Sequence, residues 1–330
     1  MPPPPQPPRS PVPSRHAFTA AAPTTAQRLD QALALLLPQH SRTRLKGWIE
    51  AGHVEIDGKT ILEARFRVRG GEAIVVTEGA DAQPLPDHPE DIAIAVVYDD
   101  SAIMVVNKPV GLVVHPGNGN HAGTLLNALL HHTPALATLP RAGIVHRLDK
   151  DTSGLLVIAK TVVAQTDLVR QLAARTVTRE YLAVVHGDLK SAVTIDAPIG
   201  RHPVQRTSMA VVATGKAART HVDVIERFGM ATLVRCRLET GRTHQIRVHL
   251  TAIGHPLVGD PTYRAIRGRT QVLPATALGF TRQALHAQRL GLLHPVSHEV
   301  MEWTCAPPAD LDTLVATLRG AKQAAGVRAS

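Results

Sequence analysis

Leu29, Leu33, Leu36 and Leu37 recur at helical spacing and predict a helix that Pro38 ends. A second helix carries Leu45, Trp48 and Ile49, with Ser41 as its cap and Gly52 at its end. Residues 54–59 then read as a strand entering an Asp57-Gly58 turn, and residues 74–76 close a compact unit. Beyond an acidic, proline-bearing stretch the period changes. Residues 92–98 and 103–106 predict strands around Asp99-Asp100, and the apolar run 155–159 is short enough for a buried strand. Residues 165–174 look helical, whereas 181–185, 222–225 and 232–238 alternate as half-buried strands. Ile246, Leu250 and Ile253 line one face of a further helix, with Thr243 as its cap and Gly254 as its stop. Strands without regular βαβ alternation predict an α+β fold with a mixed, largely antiparallel sheet.

These patterns divide the chain into a proline-rich tail (1–25), a small unit (26–77), a linker (78–91), one long domain (92–318) and a C-terminal tail (319–330). The first segment, dominated by proline and lacking any acidic residue, is expected to be structureless. No hydrophobic core follows Arg9 and Arg15, which excludes a secretory signal. The longest apolar runs fall far short of the ~20 residues of a membrane span. Lys and Arg outnumber Asp and Glu by 36 to 27, a balance that suits a phosphate-rich partner. Arg42, Arg44 and Lys46 cluster on the second helix, beside a short turn, and suggest contact with an RNA backbone. Aromatics make up only 3% of residues, too few for broad base-stacking platforms. Cys236 and Cys305 stand far apart, giving neither a disulfide framework nor a zinc spacing, as expected in a reducing cytoplasm.

Two segments are dense in chemistry. In His146-Arg147-Leu148-Asp149-Lys150-Asp151-Thr152-Ser153-Gly154 a carboxylate precedes a buried strand, which would fix its position. Asp149 and Asp151 also spell an Asp-x-Asp phosphotransferase pair, but His146 and Arg147 stand where that motif has its strand and would compete with a metal ion. In Thr240-Gly241-Arg242-Thr243-His244-Gln245-Ile246-Arg247, Arg247 lies off the apolar face and can point into a cleft. His244, His249 and His255 are spaced five and six apart, not at the i,i+4 pairing of zinc helices, so no metal is expected. No Walker loop, dinucleotide fingerprint or nucleophile elbow is present. Cofactor-free chemistry on a carboxylate is what remains.

Together these segments resemble the RluA/RluD group of ribosomal-RNA pseudouridine synthases. The match also takes in Asn107-Lys108-Pro109, residues 179–187, Gly215-Lys216-Ala217, residues 255–260 and residues 282–287, in the family's order. Residues 26–77 resemble the S4-type RNA-binding domain that many members carry. The resemblance implies a pseudouridine synthase fold with a central cleft, no cofactor, and large-subunit rRNA as partner of a monomeric, cytoplasmic enzyme. Asp149 matches the catalytic aspartate and Arg247 the basic residue that pairs with and orients it. Tyr181 matches the tyrosine that stacks on the flipped base and takes its C5 proton. Arg147 matches an arginine that contacts RNA or fills the vacated space, and His146, Arg242, His244 and Lys108 are expected to line the substrate site. Residues 114–120, 125–130, 140–145 and 282–287 most resemble the D-type subgroup, which modifies the helix 69 stem-loop. A non-catalytic RNA-binding or ribosome-assembly protein, or a synthase for another rRNA site or tRNA, is the alternative. A pure binder would need none of Asp149, Tyr181 and Arg247.

Overall fold

A computed structural model describes residues 15–19, 27–37, 40, 42–78, 88–117, 120, 122–205, 207–264 and 279–329. The chain divides into two compact units, Met1–Leu85 and Pro86–Ser330.

The first unit comprises β1 (Arg15–Thr19), β2 (Gln27–Arg28), α1 (Leu29–Leu36), α2 (Arg42–Glu50), β3 (Val54–Ile56), β4 (Lys59–Thr60), β5 (Arg67–Val68) and β6 (Ala73–Thr77). Leu29, Leu33 and Leu37 share one core with Leu45, Trp48 and Ile49 and with Val54, Ile56, Ile74 and Val76. Asp57 (φ 49°) and Gly58 (φ 73°) are both left-handed, as a tight turn between β3 and β4 requires. The expectation of a structureless tail through residue 25 fails at β1, which pairs antiparallel with β6 from Arg15↔Thr77 to Thr19↔Ala73. Five residues free of proline are enough to cover the open edge of β6, and Phe18 packs against the core. The prolines around them hid this strand. Residues 1–14, Pro38 and Ser41, and the side chains of Arg42 and Arg44, lie outside the described residues.

The second unit contains β7 (Ala95–Asp99), β8 (Ile103–Lys108), α3 (Leu125–His132), β9 (Ser153–Ala159), α4 (Val162–Ala174), β10 (Thr178–His186), β11 (Val193–Asp196), β12 (Ile199–Arg201), β13 (Met209–Val211), β14 (Arg219–Arg227), β15 (Ala231–Leu238), α5 (Gln245–Ala252), β16 (Leu285–Leu293), β17 (Val300–Thr304) and α6 (Ala309–Ala329). The main sheet runs β11-β14-β15-β10-β16-β9-β8-β7, with β17 also on β16. All its pairs are antiparallel except β16 with β9, giving the mixed, largely antiparallel sheet of an α+β fold. β9 is buried along its whole length, which explains its unbroken apolar run. Met104, Val106, Leu156 and Ile158 face one core with α3 and α5, while Ile103, Val105, Leu155 and Val157 face another with α4.

Two boundaries differ from the sequence reading. Residues 88–91, expected to be linker, are attached to the second unit: the Asn127 side chain donates to His88 O at 2.7 Å, and Glu90 N–H donates to Asn127 O at 3.0 Å. Residues 79–87 lie outside the described ones. The C-terminal tail expected from 319 instead continues α6 to Ala329. Leu311, Leu314, Val315 and Leu318 anchor the helix in a core, and the following Ala321, Lys322, Gln323 and Ala324 are good helix formers with no proline to stop them.

Candidate active site

Asp149 sits on the loop that feeds β9, and the loop is fixed through its backbone. Asp149 O accepts from Thr152 N–H at 3.1 Å; Lys150 O accepts from Gly111 N–H at 3.0 Å and from Lys108 Nζ at 2.9 Å. Asp151 O accepts from Arg282 Nη1 at 3.1 Å, and Arg282 is itself held by both oxygens of Asp310 on α6, at 2.7 and 2.9 Å. At the end of the loop Gly154 (φ 114°) lies against β16 so tightly that a Cβ would come within 2.2 Å of Ala287 O. Only glycine allows this parallel contact.

Lys108 is therefore not open to substrate, contrary to expectation. It is 1% exposed, and its ammonium also donates to Pro109 O at 2.7 Å and Leu112 O at 2.9 Å. Burial pulls its pKa down to about 8.

The Asp149 carboxylate meets Arg247 from α5. Arg247 Nη1 donates to Asp149 Oδ2 at 3.0 Å, while Nε and Nη2 grip Asp260 Oδ2 and Oδ1 at 2.7 and 2.9 Å. Side-chain exposure falls from 15% at Asp149 through 6% at Arg247 to 0% at Asp260. Asp260 Oδ1 also accepts from the backbone N–H of Thr262 and Tyr263 at 2.8 and 2.9 Å. Burial alone would depress the pKa of Arg247, but Asp260 and Asp149 together hold it raised. The guanidinium is further backed by the Tyr263 ring, 5.0 Å from its centroid. Asp260 and Tyr263 carry this geometry yet were not singled out from the sequence. Asp260 ends the family-like 255–260 segment, which was the available signal.

Before α5, His244 is left-handed (φ 56°), and it, not Thr243, occupies the helix cap position, without a side-chain cap bond. Gln245 locks the helix start by accepting from Arg242 N–H at 3.0 Å and the Thr240 hydroxyl at 2.8 Å. His244 Nδ1 lies 2.8 Å from the Tyr263 hydroxyl, and its Nε2 lies 3.8 Å from Asp149 Oδ1, beyond hydrogen-bond reach. Burial lowers its pKa against the pull of Asp149. Arg242 is exposed and donates from Nε to Ala217 O at 3.1 Å. Arg147 is exposed two positions before Asp149, with no acidic partner among the described residues. His146 points back at the sheet, where Nε2 accepts from Val157 N–H at 3.2 Å; burial drives its pKa down to about 3.

Tyr181 is buried on β10, opposite Cys236 and Ala287, beside a bulge that leaves Gln288 as an extra residue on β16. Burial pushes its pKa up to about 12, which keeps the hydroxyl protonated at neutral pH. His249 and His255 do structural work: His249 joins Thr220 Oγ1 to Ala197 O, both at 2.9 Å, and His255 Nδ1 reaches His186 O at 2.9 Å. Among the described residues no group of His, Cys, Asp and Glu is assembled to hold a metal ion. In the first unit, Lys46 is exposed and pairs with Glu50 at 3.4 Å.

Residues 102–252 match the family model described as RNA pseudouridylate synthase, and residues 27–74 match that of the S4 domain. Proteins named ribosomal large subunit pseudouridine synthase D are similar over most of the chain. The one from Nitrosomonas europaea is 55% identical over 295 residues, covering 88% of this chain and 84% of its own. That from Escherichia coli K12 is 50% identical over 297 residues, covering 89% and 91%. Among solved structures, human RNA pseudouridylate synthase domain containing 1 superposes with a TM-score of 0.52 at 30% identity, covering 70% of this chain and 96% of its own. Human RNA pseudouridylate synthase domain containing 4 gives 0.54 at 25%, covering 68% and 93%.

Proposed function

We propose that this chain, which belongs to the RNA pseudouridylate synthase family, isomerises uridines of large-subunit ribosomal RNA with Asp149 as its catalytic carboxylate. The reaction breaks the N1–C1′ bond, turns the uracil and forms a C5–C1′ bond, while a proton leaves C5 and one is gained at N1. Substrate and product contain the same atoms, so the chemistry needs no co-reactant. The observation that carries the reading is the chain Asp149–Arg247–Asp260, in which a partly open carboxylate is aimed by a buried arginine that a second carboxylate holds in place. Asp149 Oδ2 faces Arg247, while Oδ1 has no hydrogen bond among the described residues and is the oxygen available to substrate. Tyr181 supplies a flat apolar face for the extruded base, whose departure from its stack costs roughly a few kcal/mol. Arg147, exposed beside Asp149, is suited to RNA contact, and the first unit adds affinity without chemistry.

Within large-subunit rRNA we assign the helix 69 stem-loop, on the resemblance of the chain to the D-type subgroup and the names of its relatives. Pseudouridine mapping of rRNA from cells lacking this protein tests the assignment. Signal lost only in helix 69 is the expected result. An intact helix 69 with loss elsewhere would overturn the site and keep the reaction, and no loss anywhere would count against the reaction itself.

A further inference from the structure

Tyr263 touches the site at four points. Its N–H donates to Asp260 Oδ1, and its ring lies behind Arg247. Its hydroxyl accepts from Met209 N–H at 2.9 Å and lies 2.8 Å from His244 Nδ1. With Met209 filling one lone pair, the hydroxyl's own proton has His244 Nδ1 as its only acceptor among the described residues. Burial lowers the His244 pKa, which favours the neutral ring with one bare nitrogen. The bare nitrogen is therefore Nδ1, and Nε2 carries the hydrogen. That Nε2 stands 3.8 Å from Asp149 Oδ1, the oxygen that Arg247 leaves free. Both side chains can be reached from outside, with 21% of His244 and 15% of Asp149 exposed.

A donor and an acceptor 3.8 Å apart are too distant to bond each other, but one oxygen can sit about 2.8 Å from both. Such an atom must accept from Nε2–H and donate to the carboxylate, which makes it a hydroxyl. A uracil carbonyl only accepts, and the uracil N3–H only donates. Inside an RNA strand the 3′ and 5′ oxygens are esterified, so the 2′-hydroxyl is the one hydroxyl a uridine offers. It stands on the carbon next to C1′, where the glycosidic bond breaks and where the reaction needs Asp149.

We propose that His244 and Asp149 together hold the 2′-hydroxyl of the target uridine, His244 Nε2–H donating to it and the hydroxyl donating to Asp149 Oδ1, and that Tyr263 fixes the histidine tautomer this requires. The inference rests on the reading of the protein as an RNA isomerase, and it makes the site select ribose over deoxyribose. Its test uses the full chain and synthetic stem-loops around the uridine that rRNA mapping identifies. Wild-type turnover of the uridine stem-loop is the control on the functional reading; without it that reading falls, and this inference with it. Dissociation constants are then measured for stem-loops carrying pseudouridine at the target position, with or without its 2′-hydroxyl, so that no reaction intervenes. The ratio of the two constants is taken within each protein, so any loss of folded protein cancels. Wild type should prefer ribose roughly tenfold, the effect of a hydrogen-bonded pair that includes a charged group. His244→Ala should cut the preference to about twofold, the share of the Asp149 contact alone. His244→Gln, whose amide N–H has a similar reach, should restore most of it. Tyr263→Phe keeps the ring behind Arg247 but releases Nδ1, so its ratio should fall between those of wild type and His244→Ala. A wild type indifferent to the 2′-hydroxyl, or a His244→Ala variant with the wild-type preference, would overturn the inference. A Tyr263→Phe ratio equal to that of wild type would overturn the role given to Tyr263.

Discussion

Arg247 commits three donors to two carboxylates, so its removal strands both. With Arg247→Ala the fully buried Asp260 keeps only two backbone donors, and uncompensated buried charge of this kind costs about 3–5 kcal/mol. Urea unfolding should register that loss, and kcat should fall by more than the residual fraction folded explains. Tyr181→Phe isolates the phenol: the ring that would stack remains, so RNA affinity should hold while single-turnover rates fall. Equal loss of binding in the two variants would mean that positioning and chemistry have been confused. Asp149 and Arg247 could be picked out from the sequence because each lies in a dense polar motif next to an apolar run. Asp260 could not: its partner lies 13 positions earlier, and nothing in the spacing announces a bidentate contact. Lys108 misled for a different reason. It is expected at the substrate only through the family-like Asn107-Lys108-Pro109 match, and the folded loop shows three carbonyls closing around it.

Among the elements, β9 and its parallel contact with β16 set the position of the whole Asp149 loop. Gly154→Ala places a methyl against Ala287 O at a backbone angle that alanine avoids, so it should destabilise the fold by roughly 2 kcal/mol or more and reduce kcat by displacing the loop. Thermal melts together with kcat/KM check both effects; a variant that melts and turns over like wild type would remove the geometric role given to this glycine. Central strands were easy to foresee, since β9 is a continuous apolar run and β10 and β15 alternate. The terminal elements were not. β1 is a short alternating stretch inside a proline-rich segment, and the last turns of α6 follow from helix propensity and an anchored start rather than from any apolar stripe.

For the whole molecule, acid should be destabilising through histidines that the fold keeps neutral. His115 and His146 titrate near 4 and 3 when folded but near the ordinary 6.5 when unfolded. Between those values the unfolded chain binds more protons, so stability falls as pH falls from about 6.5 towards 4. Melting temperatures measured from pH 7 to 4.5 should decline, and His146→Gln should flatten the decline; identical slopes would refute the assignment. No helix among the described residues is long and apolar enough to cross a membrane. The central claim, that this chain breaks and remakes a glycosidic bond through one carboxylate, is met most directly by Asp149→Asn. The amide preserves side-chain size and removes the charged oxygen. Purified wild-type and variant protein should melt within about 1 kcal/mol of each other, a margin typical of an isosteric change at a partly exposed position. They should also bind a large-subunit rRNA transcript alike. Only the wild type should yield pseudouridine when the modified bases are mapped. Appreciable pseudouridine formed by the Asn variant would contradict the account.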